Sequence, residues 1–348
     1  MSWLRRLAGV LVLLVIFAVW ANMRLSTPIA PSMSEPNSIY LEKGAGASSA
    51  YEQLAQISQK NGGRLTAFQI KLLAWVSLRA NGYKVGEYEF DSKATLSELL
   101  TRLSTGKITQ RKIRIAEGVT WREIKQAFAK ADLTHDAQDL SMVDLVKAVG
   151  ITEPNNPQSI EGLVFPDTYL YRKGEKETDI LKRAHELLNK KIAPLWEKRA
   201  TDLPYANEYQ ALIMASIVEK ETGLDADRPM IAAVFVNRLK KGMMLQTDPT
   251  VIYGVGEAFK GDLTTQMMRT DTPYNTYTRN GLPPTPIATA SLASISAAFN
   301  PANSDVLFFV GRGDGSSEFT NNLAAHNAAV NKYIVKKQHD TARTMHHR

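Results

Sequence analysis

The chain of 348 residues contains no cysteine. That excludes disulfide frameworks, thiolate nucleophiles and cysteine-based metal sites, and it leaves the compartment open. Histidine is scarce: of six residues, three lie beyond residue 336, so no metal site is expected. No glycine-rich phosphate loop, no HExxH helix and no G-x-S-x-G turn occurs, and no cofactor is expected. Excess charge on the body is lacking as well. The formal net charge is +7, but Arg5, Arg6 and Arg24 supply three of these charges and residues 336–348 a net three more. The rest is close to neutral, and a nucleic-acid partner would need a basic face on the folded body.

What is present begins with an uninterrupted apolar run at residues 7–21, preceded by Arg5 and Arg6 and followed by Arg24. Its length is near the lower limit of ~17 residues for a spanning helix. Two arginines on its N-terminal side favour keeping that side in the cytoplasm. A cleavable signal peptide, with Val19 and Ala21 at the cleavage site, is the competing reading. In both, the body is exported. The expectation adopted is a single-pass anchor in the cytoplasmic membrane.

An apolar share of 44% is that of an ordinary globular protein, so most of the chain can bury a core. The fold class expected is α+β, in five segments: an N-terminal transmembrane helix at 1–24, a Pro- and Ser-rich linker at 25–37, a small α+β module with its connector at 38–154, a mixed α+β main domain at 155–335, and a basic disordered tail at 336–348. In the module, residues 66–79 read as helix. Residues 85–90 alternate like a strand. Asp91 or Ser92 can cap a helix whose Leu96, Leu99, Leu100 and Leu103 recur at helical spacing, with Gly106 closing it. A strand through Ile113 and Ile115 and a helix carrying Ile124 and Phe128 repeat the layout. In the main domain, residues 305–311 read as a buried strand and 322–332 as a closing helix.

The segment with most chemistry in it is NEYQALIMASIVEKETG, 207–223. Residues 211–218 are apolar except for Ser216, which marks a helix buried all round. Two glutamates end it, and Gly223 is placed to cap it. At 100° per residue, Glu219 shares a face with Leu212, and Glu221 points the opposite way. The negative end of the helix dipole and the apolar neighbours both disfavour a bare carboxylate at Glu219, which suits a general acid. A solvated helix end is the plainer reading of Glu-Lys-Glu.

Further on, LQTDPTVIYG at 245–254 offers Gln246, Asp248, Thr250 and Tyr253 beside a turn at Asp248–Pro249. Residues 269–290 form a long irregular stretch with Tyr274, Asn275, Thr276 and Tyr277. Loops of that length are usually functional or disordered; the aromatic residues argue against disorder, and tyrosines beside amides can stack on sugar faces and bond hydroxyls. A protein-binding surface would look the same.

The blocks ASIVEKETG, LQTDPTVIYG, PYNTYTRNGLPP and FTNNLAAHN, in this order, resemble the endolytic murein transglycosylases of the YceG-like family. AEGVTWREI at 116–124 and EGLVFPDTY at 161–169 are similar to that family's upstream signatures. The resemblance covers nearly all of residues 1–335. It implies cleavage of nascent peptidoglycan glycan strands between N-acetylmuramic acid and N-acetylglucosamine, leaving a 1,6-anhydro end and ending strand elongation. It further implies a LysM-like module before the catalytic domain and peptidoglycan synthases (penicillin-binding proteins) as partners. The family's catalytic glutamate falls on Glu219. Glu161, Gln246, Asp248, Thr250, Tyr253, Tyr274, Asn275, Thr276 and Tyr277 stand as candidates for binding the glycan. Two positions depart from the family pattern: Thr285 stands where glycine is expected, and Ser317 where histidine is expected. Two other classes remain open at this point. One is a hydrolase of the same bond with Asp248 or another acid activating water. The other is a peptidoglycan-binding scaffold without activity.

Overall fold

The computed structural model describes residues 2–152 and 157–335. The chain forms two compact units: Met1–Arg111 with Leu170–Gly174, and Lys112–Tyr169 with Glu175–Arg348. The expected tail at 336–348 lies outside the described residues, as does the expected boundary at 154–155. The division into compact units falls at Arg111.

The first unit begins with α1 (Ser2–Ser26), whose residues Trp3–Ser26 are long and apolar enough to cross a membrane and are almost wholly unburied. There follow β1 (Asn37–Leu41), α2 (Ala47–Lys60), α3 (Ala67–Val76), β2 (Gly86–Phe90) and α4 (Leu96–Thr105). β1 and β2 pair antiparallel, with Ile39 opposite Tyr88. Ile39, Tyr88, Leu54, Leu73, Leu96 and Leu100 fill one core beneath that sheet. β1 and α2 were not anticipated.

The stretch 25–37, expected to be a linker, is pinned into the unit through Ile29, Ala30 and Met33. Ile29 and Ala30 are fully buried, the Ile29 amide donates to the Ala94 carbonyl at 3.0 Å, and Ser58 Oγ donates to the Ile29 carbonyl at 2.6 Å. The helix α4 is also capped differently from expectation. Its N-cap is Thr95, whose hydroxyl accepts from Glu98 N, because Asp91 is occupied in a local turn with Lys93 N. Gly106 closes it with φ 74°.

Past β3 (Arg111–Arg114), the second unit contains α5 (Trp121–Phe128), α6 (Met142–Val149), the first half of β4 (Thr168–Tyr171), α7 (Glu177–Glu197), α8 (Glu208–Glu221), α9 (Arg228–Lys240), α10 (Asp248–Val255), α11 (Thr265–Arg269), α12 (Leu292–Phe299), β5 (Phe308–Gly311), β6 (Ser317–Thr320) and α13 (Leu323–Val330). The central element is α8. Every residue from Ala211 to Val218 is buried, with α9, α10 and α12 packed around it. Ser216, its lone polar residue, is satisfied: the hydroxyl donates to the Ile213 carbonyl at 2.7 Å and accepts from Ile287 N at 3.0 Å. That bond ties the irregular 270–290 stretch to the core helix.

Three local expectations need correction. Asp248–Pro249 opens α10 rather than forming a turn, since proline is at home in the first helical turn. Gly223 does not cap α8; Thr222 does, in extended backbone, its hydroxyl accepting from Leu224 N. The expected buried strand at 305–311 is the shorter β5, half-buried, paired with β6 so that Phe309 faces Phe319.

Candidate functional site

The helix α8 starts at Asn207, whose side chain accepts from Gln210 N, and delivers Glu219 and Glu221 at its far end. They face different neighbours, as helical geometry requires for residues two apart. Glu219 Oε2 accepts from Ser291 N at 3.0 Å, from Ser294 Oγ at 2.6 Å and from Ser291 Oγ. Ser291 is the N-cap of α12 and Ser294 lies in its first turn. The carboxylate that sits at the unfavourable end of α8 therefore also sits at the favourable, positive end of α12. Its other oxygen, Oε1, lies 3.8 Å from the buried guanidinium of Arg228 and accepts no hydrogen bond among the described residues. The side chain is 8% exposed. One oxygen is thus held and the other left over, the arrangement that a group handling a proton needs.

The upstream signature 116–124 reaches this place. Gly118, with φ +68°, lies against Glu219 Cγ, and its carbonyl accepts from Lys220 Nζ at 3.0 Å. The Gly118 amide donates to the Thr289 carbonyl, and Thr289 returns a bond from its amide to Val119.

Glu221, on the other face, accepts from the Thr247 hydroxyl. Burial pushes its carboxyl up to about 7, outweighing the Thr247 bond, and nearby Asp248 adds to the rise. Sequence reasoning had placed the apolar surroundings with Glu219. It could not see the donors that α12 brings to that residue.

A cleft of about 920 Å³ opens beside the site, walled by Trp121, Glu161, Lys220, Tyr253, Tyr274 and Ile287. Three of the candidate binding residues meet in it. Glu161 is buried, its Oε1 accepting from Trp121 N at 2.8 Å and its Oε2 from Tyr253 Oη at 2.9 Å. Burial raises its carboxyl to about 7 against the pull of those two donors. The Tyr253 and Tyr274 rings stand edge to face, 4.7 Å apart. Tyr274 Oη is bonded to Thr285 Oγ1 at 2.9 Å, so the hydroxyl that replaces the expected glycine braces a tyrosine of the cleft. Gly162, the neighbour of Glu161, has φ +70°, and a side chain there would collide with Pro286; no other residue type fits that crossing.

The remaining candidates are placed elsewhere. Asp248 is exposed and accepts from Tyr277 Oη at 2.6 Å. Gln246 is exposed, with φ 50°, its amide donating to the Thr276 carbonyl. Thr250, Asn275 and Thr276 are fully buried. Asn275 donates to the carbonyls of Met268 and Thr270 and accepts from Tyr277 N. Thr250 and Thr276 bond one another at 2.8 Å. Asn275 and Thr276 shape the loop, Thr250 ties it to α10, and none of the three presents a side chain to a ligand. Ser317 is half-buried in β6, opposite Gly311.

Four residues of the site were not singled out from the sequence: Ser291, Ser294, Arg228 and Trp121. The signal for the serines was available, since Ser-Leu-Ala-Ser before an apolar run is a helix start. That they bond Glu219 is tertiary information.

Comparison with known proteins concerns the chain as a whole. The YceG-like family matches residues 39–332. A Bacillus subtilis protein named endolytic murein transglycosylase is 32% identical over 273 residues, 74% of this chain and 75% of that protein. A Streptococcus pneumoniae protein of the same name is 26% identical over 86% of this chain, which spans 59% of that relative's length. A crystal structure described as a putative YceG-like protein from Listeria monocytogenes covers 84% of this chain and 98% of its own, at 27% identity and a TM-score of 0.52.

Proposed function

The chain belongs to the YceG-like family and is a lytic transglycosylase; from that premise we propose that it cuts nascent peptidoglycan strands internally, with Glu219 as the acid and then the base. The name borne by the relatives supplies the substrate class. The observation that carries the catalytic assignment is the asymmetry of the Glu219 carboxyl: Oε2 taken by three donors from the start of α12, Oε1 left without a hydrogen bond among the described residues.

The chemistry follows from one carboxyl group. Protonated Glu219 donates to the glycosidic oxygen between N-acetylmuramic acid and N-acetylglucosamine as the bond to C1 breaks. The resulting carboxylate is steadied by Ser291, Ser294 and Arg228. It then takes the proton of the C6 hydroxyl as that oxygen bonds to C1, closing a 1,6-anhydro ring and restoring the acid. No water is consumed. An ordinary glycosidase would need a second carboxylate about 5 Å or 6.5–9.5 Å from the first. Asp248, the candidate for that role, is engaged by Tyr277. Tyr253 and Tyr274 offer the ring faces on which sugars stack.

The rest of the reading concerns place. The helix α1 serves as a single-pass anchor with its N-terminus in the cytoplasm and the body outside. The β-α-α-β arrangement of the first unit serves as a LysM-like glycan contact. A nascent strand as substrate makes the synthases that extend it natural partners.

Mass spectrometry of long glycan strands digested by purified protein tests the proposal. Early products should be long oligosaccharides ending in 1,6-anhydro-muramic acid. Disaccharides alone would sink the internal cut, and reducing ends would sink the lytic step.

A further inference from the structure

We propose that the exposed apolar stripe of α3, with the cations around it, rests on an anionic lipid surface, giving the first unit a second contact with the membrane beside α1. The inference rests on reading α1 as an anchor.

The helix α3 has two apolar faces where a surface helix normally has one. Ile70, Leu73 and Ala74 are buried in the core of the unit. On the other side Phe68 is 74% and Trp75 70% exposed, with Lys71 exposed and Leu72 half-buried between them. Positions 68, 71, 72 and 75 form one stripe at helical spacing. Just past the helix, Leu78 is 94% exposed with φ 57°. Its amide donates to the Trp75 carbonyl and that of Arg79 to the Ala74 carbonyl. This is the left-handed helix ending usually occupied by glycine. A leucine there adopts a disfavoured backbone and places its side chain in water. Backbone strain kept together with apolar exposure points to a use for that side chain.

Charge selects the occupant. From Lys60 to Val85 the chain holds Lys60, Arg64, Lys71, Arg79 and Lys84 and no acidic residue. Tryptophan, phenylalanine and leucine flanked by lysine and arginine are the composition of a segment lying in a bilayer interface.

Position agrees with composition. The residues that follow α1 run onto the start of α4: Pro28 bridges to Thr95, and Ile29 N donates to the Ala94 carbonyl. The end of α3 meets the same turn, Arg79 Nη1 donating to Ser97 Oγ at 3.4 Å. The exit of α1 and the tip at Leu78 therefore share one end of the unit. Nor is there slack between anchor and unit, because Ala21 is buried in this core with Trp20 and Leu25 packed against it. A unit held this rigidly at the end of a spanning helix keeps Trp75 and Leu78 near the headgroups. An interfacial stripe would sink roughly 5–10 Å into the headgroup–acyl boundary.

The absence of cysteine makes the test clean. Four single-cysteine variants of the full chain, Val12→Cys, Phe68→Cys, Leu78→Cys and Gln56→Cys, are labelled with an environment-sensitive nitrobenzoxadiazole dye. They are placed in nanodiscs of phosphatidylethanolamine and phosphatidylglycerol carrying nitroxide-labelled lipid. The proposal expects the dyes at 68 and 78 to shift blue and to be quenched by a nitroxide near the headgroup. The dye at 12 should answer to a nitroxide deep in the chains, and the dye at 56, exposed on α2, to neither. Quenching at 12 without quenching at 68 and 78 would overturn this inference and leave the anchor standing. No quenching at 12 would overturn both. Blue shifts at 68 and 78 that follow the number of copies per disc, without lipid quenching, would assign the stripe to a second copy of the chain and overturn the lipid surface.

Discussion

Two glutamates stand two residues apart at the end of α8, and the faces they look onto could hardly differ more. On the Glu219 face, the start of α12 supplies one amide and two hydroxyls, and Arg228 supplies a charge at 3.8 Å. On the Glu221 face, burial dominates, the Thr247 hydroxyl and the more distant charge of Arg238 only partly offset it, and the carboxyl is pushed up to about 7. A carboxyl that must pass through its charged form during a reaction needs a prepared set of donors at hand. A carboxyl that only has to be accommodated can stay protonated. The difference teaches that the functional assignment lies in the partner set, since residue type, helix and depth are nearly shared.

The contrast is broken most severely by neutralising each residue in turn. Glu219→Gln should lower strand cleavage by ~10²–10⁴, the usual loss for one acid–base group, with the thermal midpoint little changed. Glu221→Gln should retain most of the activity. Equal losses in turnover would undo the distinction between the two faces.

A second difference should show in stability against pH. Glu221 and Glu161 have folded values of about 7 against an ordinary 4.5. Between those values the folded protein keeps a proton that the unfolded chain has released. The associated stability is whole below about 4.5, declines as pH rises, and is lost above 7, at most about 3 kcal/mol for each group. Urea midpoints at pH 5 and pH 8.5 should therefore differ, and Glu221→Gln should remove about half of that difference. A wild-type midpoint that is flat across this range would contradict the burial argument.

Smaller effects sharpen the picture on the Glu219 side. Hydrogen bonds to a charged group contribute about 1.5–3 kcal/mol, so Ser294→Ala should slow cleavage by roughly 10–100-fold and leave substrate binding nearly unchanged. A loss confined to KM would place Ser294 with binding instead. Thr285→Gly, which restores the residue expected from the family pattern, should free the Tyr274 hydroxyl. About 1 kcal/mol or less is at stake, read as a few-fold rise in KM.

The sequence made α8 legible, and with it the opposed directions of Glu219 and Glu221, because an all-apolar helix of known pitch leaves no choice. The cleft was half legible. Glu161, Tyr253 and Tyr274 line it, but Thr250, Asn275 and Thr276, polar in the same way on paper, are buried and bonded within the protein. Polarity marks a residue that needs partners and does not say whether they belong to the protein or to a ligand. Asp248–Pro249 was read as a turn because proline suits turns and first helical turns alike. The packed course of residues 25–37 was hidden for a similar reason: Ser and Pro composition describes a linker, while burial of Ile29 and Ala30 depends on a core built by α2 and α4. That Ser291 and Ser294 bond Glu219 is beyond reach of the sequence, since they come to it from some seventy residues away.

The central claim is that one carboxyl group, with no water, makes and breaks the bonds at C1. Digestion of purified glycan strands in water enriched in heavy oxygen tests it directly. The account expects every new muramic end to be anhydro and to carry no heavy oxygen, with both cleavage and that signature lost in Glu219→Gln. Reducing ends bearing one heavy oxygen would contradict it and require a second carboxylate to activate water.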